Sequence, residues 1–290
     1  MTRPSFILQP GPPQEPRIVA VEARGRDIRF VLEPGEHLLE AVRRGFADAG
    51  FKCGVVELGP AALSPFAYVM PALSKDGANA AFYSDTYRPA GVCRLEAGAM
   101  TFGVRDGAPF FHAHGLWREA SGKASGGHIL PEDTVVAERI EVRAFGIDGA
   151  MYEAVPDAET NFKIFGPLAV ASVGAKTDRR VIALRLRPNQ DFIGALEVTA
   201  ARFGIRRGRI RGGVGSTIGA KLADGTVVEN FATEVFVRHG LIAPGTDGQP
   251  KVTLDVGLVD YTGGMARGRV VRGENPVLMT FEIAIEVLED

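Results

Sequence analysis

The stretch LEPGEHLLEAVRRGFADAGFKCGVVELG, residues 32–59, returns in altered form as LRPNQDFIGALEVTAARFGIRRGRIRGG, residues 186–213. The offset is 154 throughout: Pro34 meets Pro188, Leu39 meets Ile193, Val42 meets Leu196, Gly50 meets Gly204 and Gly54 meets Gly208. Both copies space apolar side chains along one helical face, Leu38, Val42, Phe46 and Ala49 in the first, Phe192, Leu196, Ala200 and Phe203 in the second. Each helix is predicted to stop at its glycine, Gly50 or Gly204, which can adopt the left-handed conformation that closes a helix. The alternating segments that follow, CGVVELG and GRIRGG, read as strands.

The correspondence resumes near the end of each copy at a smaller offset. HAHGLWREASGKASGGHILPEDTVVAERIEVRAF, beginning at His112, aligns with the segment beginning at Thr253, and Glu141 then meets Glu282, both at an offset of 141. The change from 154 to 141 places about thirteen extra residues in the first copy. Residues 74–89, rich in turn-formers and aromatics, are predicted to hold them as a loop or an inserted ribbon. A fainter echo links FILQPGP, residues 6–12, to FKIFGP, residues 162–167, as a duplicated lead-in strand. The pattern is a tandem duplication with its join between residues 145 and 178, dividing the chain into repeats at 1–150 and 151–290. A length of 290 residues accommodates two domains.

Composition narrows the functional classes. The chain is 46% hydrophobic and 23% charged, ordinary for a soluble globular protein. Lys and Arg total 33 against 35 Asp and Glu, a formal charge of −2, so the basic surplus that sequence-independent DNA binding needs is absent. The opening MTRPSFILQPGPPQEPR has no apolar run of signal-peptide length, and no segment reaches the roughly 18 consecutive apolar residues of a membrane helix. Cys53 and Cys93 are too few for a disulfide framework and read as buried thiols. The expectation is a cytoplasmic protein with no membrane partner.

Three of the five histidines fall in FFHAHGLWREASGKASGGH, residues 110–128. On a strand, His112 and His114 project from one face, and the polar run after them is predicted to turn and bring His128 alongside. Three imidazoles without a cysteine suit an open zinc site with a position left for a ligand. The alternative is that they only hydrogen-bond at a subunit interface. Trp117 is expected to face away from the pair, into a core or an interface. Among nearby acids Glu119, Asp133 and Glu138, the last is the candidate catalytic residue, because it opens a strand expected beside His128 and could orient an imidazole or act as a general base. Arg88, Arg94 and Arg118 are candidate clamps for an anion. Glu36 lies at a helix start, where a carboxylate favours the positive end of the dipole.

The order of PGEHLLEAV, FHAHGLW, SGGHIL and AERIEV resembles the PPC domain, the plants-and-prokaryotes conserved domain. The resemblance implies an α+β fold of two repeats, each an antiparallel sheet of about seven strands with one main helix, assembling as a homo-oligomer, trimer favoured. The second copy departs from the pattern at the histidines, with Thr253, Asp255 and Arg269 in their place, so the metal is expected in the first repeat alone. Asp255 and Arg269 are expected to form an ion pair where the metal would sit, leaving the second copy as a scaffold. Three RGR triplets, at 24–26, 207–209 and 267–269, lack the proline of the minor-groove hook found in plant relatives. RGGVGST lacks the lysine of a phosphate loop. Two readings of function follow: a zinc protein, enzymatic as a hydrolase or lyase or else a sensor, that takes a small anionic metabolite, or a non-catalytic regulatory or DNA-associated accessory.

Overall fold

The structure is a computed structural model that describes residues 3–288. The first half runs β1 (Ile18–Leu32), α1 (Leu38–Asp48), β2 (Cys53–Leu58), β3 (Ala61–Leu63), β4 (Tyr68–Val69), β5 (Pro71–Leu73), β6 (Ala81–Tyr83), β7 (Cys93–Arg105), β8 (Ala108–Arg118), β9 (Ala124–Ile129) and β10 (Ile140–Asp148). A hairpin follows, β11 (Ala150–Asp157) and β12 (Phe162–Ala169). The second half runs β13 (Arg179–Leu186), α2 (Phe192–Arg202), β14 (Gly208–Lys221), β15 (Val227–Pro244), β16 (Pro250–Asp260), β17 (Met265–Arg269) and β18 (Val277–Val287). The fold is mostly antiparallel β with two helices. Neither helix is long and apolar enough to cross a membrane.

Both helices form where the apolar stripes lie, and both end by the same device. Gly50 takes φ +84° and Gly204 φ +65°, with nothing near a Cβ at either position, so the backbone conformation alone selects glycine. The chain then turns back to bond the helix, Phe51 N–H to the Phe46 carbonyl and Ile205 N–H to that of Ala200, each at 2.8 Å. Leu38, Val42 and Phe46 are buried in one core, and Phe192, Leu196 and Ala200 in another. Phe46 stacks on Phe102 at 4.8 Å, and Phe192 meets Phe281 at a tilt with centroids 4.0 Å apart. Each such ring contributes about 1.5–3 kcal/mol by burial, enough to hold an eleven-residue helix that would be marginal in water.

Strand pairing repeats with the offsets seen in the sequence. Leu32 faces Ile140 and Leu186 faces Phe281; Gly54 faces Gly146 and Gly208 faces Val287; His114 faces His128 and Asp255 faces Arg269. The halves do not form two separate seven-stranded sheets. The long β1 pairs with β10 through its C-terminal part and with β13 through its N-terminal part, fusing both halves into one sixteen-stranded sheet. Each half supplies six principal strands and one helix. One short parallel contact, Glu153 opposite Val104, ties β11 to β7.

Two additions break the internal symmetry. The insertion expected at residues 74–89 contains β6, which pairs with β5 just before it to form a ribbon. The other addition is the β11–β12 hairpin between the halves. The echo between residues 6–12 and 162–167 is not structural: the latter lie in β12, whereas the former belong to no strand. The glycines of RGGVGST form a bulge, because the β14–β18 register shifts between Arg211 and Val214. Gly212 has φ +60°, and a Cβ there would stand 2.7 Å from Val55 of the first half. The RGR triplets lie in or immediately beside β1, β14 and β17.

Candidate metal centre

Alternation along β8 puts His112 and His114 on one face, and β9 returns antiparallel to set His128 directly opposite His114. One ligand nitrogen from each lies within 4.8 Å of the others, and among the described residues this is the single group of three or more such side chains. Ring centroids are 4.6 Å apart for His112 and His114, 4.9 Å for His112 and His128, and 5.3 Å for His114 and His128. Trp117 turns to the other face, into a core contact with Phe66 and Tyr68 at 4.9 and 4.7 Å.

The second half is no bystander. Glu282 of β18, fully buried, accepts from His112 Nδ1 at 2.6 Å. The Val235 carbonyl of β15 accepts from His114 Nδ1 at 3.1 Å. These partners fix both tautomers, so each Nε2 carries a lone pair, and the two Nε2 atoms stand 3.0 Å apart. Two lone pairs facing at that distance repel unless a cation or proton lies between them. Zinc–nitrogen bonds of about 2.0–2.1 Å at a tetrahedral angle place two ligand nitrogens about 3.3 Å apart, close to the spacing found. His128 Nδ1, Glu234 Oε2 and Glu282 Oε1 are buried without a partner, each an atom that costs about 1–3 kcal/mol to leave so. The donor set fits a divalent transition metal.

Burial, with His112 and His128 beside it, holds His114 well below the usual histidine range. Burial, with His112 and Arg105, does the same to His128, so both rings are neutral and ready to ligate. Glu234, whose Oε1 lies 3.6 Å from His114 Nε2, is pushed well above the usual carboxylate range by burial.

The triad opens into a cavity of 520 Å³ between the halves. Both asymmetric additions wall it: Ala81, Phe82 and Tyr83 from the ribbon, and Phe162, Ile164 and Phe165 from the hairpin. Tyr83 meets the His128 ring edge-on at 5.3 Å, and Phe82 packs on Phe162 at 5.6 Å, so ribbon and hairpin meet over the site. Asn79 reinforces that contact by donating to the carbonyls of Thr160 and Asn161. Arg105 and Lys163 also line the cavity, but Lys163 donates to both oxygens of Asp106 at 2.6 and 2.8 Å, and Arg105 Nε lies 3.9 Å from the same carboxylate.

Several sequence-derived candidates lie elsewhere. Glu138 is 58% exposed, paired with Arg94 at 3.1 Å, and does not line the cavity; the chain before β10 runs along the surface instead of behind His128. Asp133 pairs with Arg88 at 2.8 Å in solvent, and Arg118 with Glu96 at 3.5 Å, so the three arginines expected as clamps are engaged outside the site. Glu119 accepts from Tyr68 and Ser125 hydroxyls. Asp255 and Arg269 are opposed in register as expected, but Asp255 pairs with Arg238 at 2.7 Å and is 36% exposed. β17 is the outermost strand of its end of the sheet, so no second layer encloses a pocket there. The carboxylates that reach the triad are Glu234 and Glu282. Their sequence signal is an acid inside an otherwise largely apolar strand, one in ATEVFV and two, Glu282 and Glu286, in MTFEIAIEV.

Residues 173–289 match the Plants and Prokaryotes Conserved (PCC) domain. The match falls on the half that lacks the histidines. Among solved structures, a metal-containing protein of Archaeoglobus fulgidus is 17% identical, with 51% of this chain and 97% of that one covered at a TM-score of 0.41. A plant- and prokaryote-conserved protein of Pyrococcus horikoshii is 20% identical, over 52% of this chain and 97% of that one, at 0.41. A hypothetical protein of Salmonella enterica is 14% identical, over 51% and 96%, at 0.38. Among curated proteins, none matches the chain.

Proposed function

We propose that this chain binds one divalent metal ion, zinc by its ligand chemistry, through His112, His114 and His128, and takes up a small anionic metabolite in the adjoining cavity. The observation that carries the reading is the pair of His112 and His114 Nε2 atoms, aimed at each other at 3.0 Å with tautomers fixed from behind. Zinc supplies Lewis acidity when bound. The protein supplies the rest. Glu282 holds the imidazole of His112 in place, and Glu234, whose burial favours the protonated form, is placed to exchange a proton with a ligand oxygen. Aromatic walls exclude water, and Arg105 is the cation left to favour an anion, because Lys163 is bound by Asp106. Catalysis would fall to Glu234 and not to Glu138.

Metal content per chain tests this. Protein purified without an affinity tag should carry close to one equivalent by elemental analysis, and the His112→Ala, His114→Ala variant should carry none while keeping its circular dichroism. Two equivalents per chain, or full metal in the variant, would overturn it.

A further inference from the structure

A second cavity, of 410 Å³, lies away from the histidines, where strands of the second half cross the sheet of the first. Its floor carries Asp27 and Arg29 of β1, Arg143 of β10 and Glu57 of β2; its wall carries Arg209 and Arg211 of β14. Four arginines against two carboxylates leave 4 − 2 = +2.

The carboxylates are already engaged. Asp27 binds Arg211 at 2.8 Å through one oxygen and Arg179 at 2.9 Å through the other, and Glu57 is 3.5 Å from Arg211. Arg211 itself is buried and locked, with Glu286 on its Nε at 2.6 Å and the Phe145 ring under its guanidinium at 5.3 Å. Among the described residues, Arg29, Arg143 and Arg209 have neither hydrogen bond nor ion pair.

The internal duplication provides a control. Arg29 and Arg143 are directly opposed on neighbouring strands, a like-charge arrangement that weakens a sheet. At the equivalent positions of the second half, 154 and 141 residues on, Ala183 is opposed to Ala284. The strand pairing therefore does not require arginine there. Guanidinium forks converging on a cavity match the oxygens of a phosphoryl group, and a charge of +2 matches a dianion.

We propose that this cleft is a binding site for a phosphoryl dianion, separate from the metal centre and independent of it. Inorganic phosphate, pyrophosphate and a nucleoside monophosphate are the probes, titrated by calorimetry into full-length protein stripped of metal with EDTA and then freed of the chelator, so that no metal at the histidines can take the anion. Saturable binding of one equivalent is expected, weakened about ten-fold or more in an Arg29→Ala, Arg143→Ala variant and, separately, in Arg209→Met. Phosphate binding as tightly as the monophosphate would identify the free anion as the ligand; a monophosphate bound at least ten-fold more tightly would identify a phosphoester. No saturation at 10 mM of any probe, or unchanged binding in both variants, overturns the proposal.

Discussion

Replacing Glu282 with leucine separates metal binding from folding, because the carboxylate serves one and burdens the other. It is fully buried and makes a charge-assisted bond of 2.6 Å to His112 Nδ1, while its second oxygen has no partner. Loss of a group that orients a metal-ligating imidazole costs about ten- to a hundred-fold in affinity, equivalent to about 1.4–2.7 kcal/mol. The metal-free protein follows a different balance. Removing a buried carboxylate relieves its desolvation, against which stands the stranded His112 N–H, worth about 1–2 kcal/mol on a ring that is 13% exposed. The two terms leave Glu282→Leu within about 1 kcal/mol of wild type in EDTA. Zinc affinity is measured by competition with a chromophoric chelator, and stability by urea unfolding. Glu282→Gln, whose amide oxygen can still accept from Nδ1, should fall between leucine and wild type in affinity. The reasoning is refuted if leucine leaves zinc affinity within two-fold of wild type, or if it destabilises the metal-free protein by more than about 3 kcal/mol.

Trp117→Ala should cost about 3–5 kcal/mol, since the indole is buried against Phe66 and Tyr68, whereas Trp117→Phe should cost far less because its N–H has no partner; circular dichroism in urea reads both. Burial opposes the ionisation of Asp157, but Arg185, with bonds from Thr160 and Arg187, prevails and holds it down to about 2. A carboxylate depressed in the folded state stabilises above its unfolded pKa and loses that contribution as pH falls through the folded one. Between pH 4 and 2 the protein should therefore lose up to about 2 kcal/mol from this group, a slope that Asp157→Asn removes in acid titrations of stability.

Much of the repeat was legible because helix, cap and strand are local. Pro34, Val42 and Gly50 each do in the first half what Pro188, Leu196 and Gly204 do in the second, and the pairing registers carry the same two offsets. The three histidines were legible for a similar reason: strand alternation and one turn suffice to gather them. Glu234 and Glu282 were missed because they lie 120 and 170 residues from the imidazoles they approach, and only the fusion of the halves brings them there. The Asp255–Arg269 pair failed by the converse route. Register was right, but exposure is set by sheet order, which leaves that strand pair at an edge.

The seam between the halves has a genetic consequence. In an assembly of identical subunits every substitution is written into all copies of an interface at once, so a change that helps one face of a site must be tolerated by the other. Two copies in a single reading frame escape that constraint. Here one copy carries the imidazoles and the other the carboxylates, and the ribbon and hairpin that roof the cavity occur once. A titration of this chain should accordingly follow a single hyperbola, with no half-loaded state and no cooperativity between sites in one molecule, and each half can go on changing without its twin.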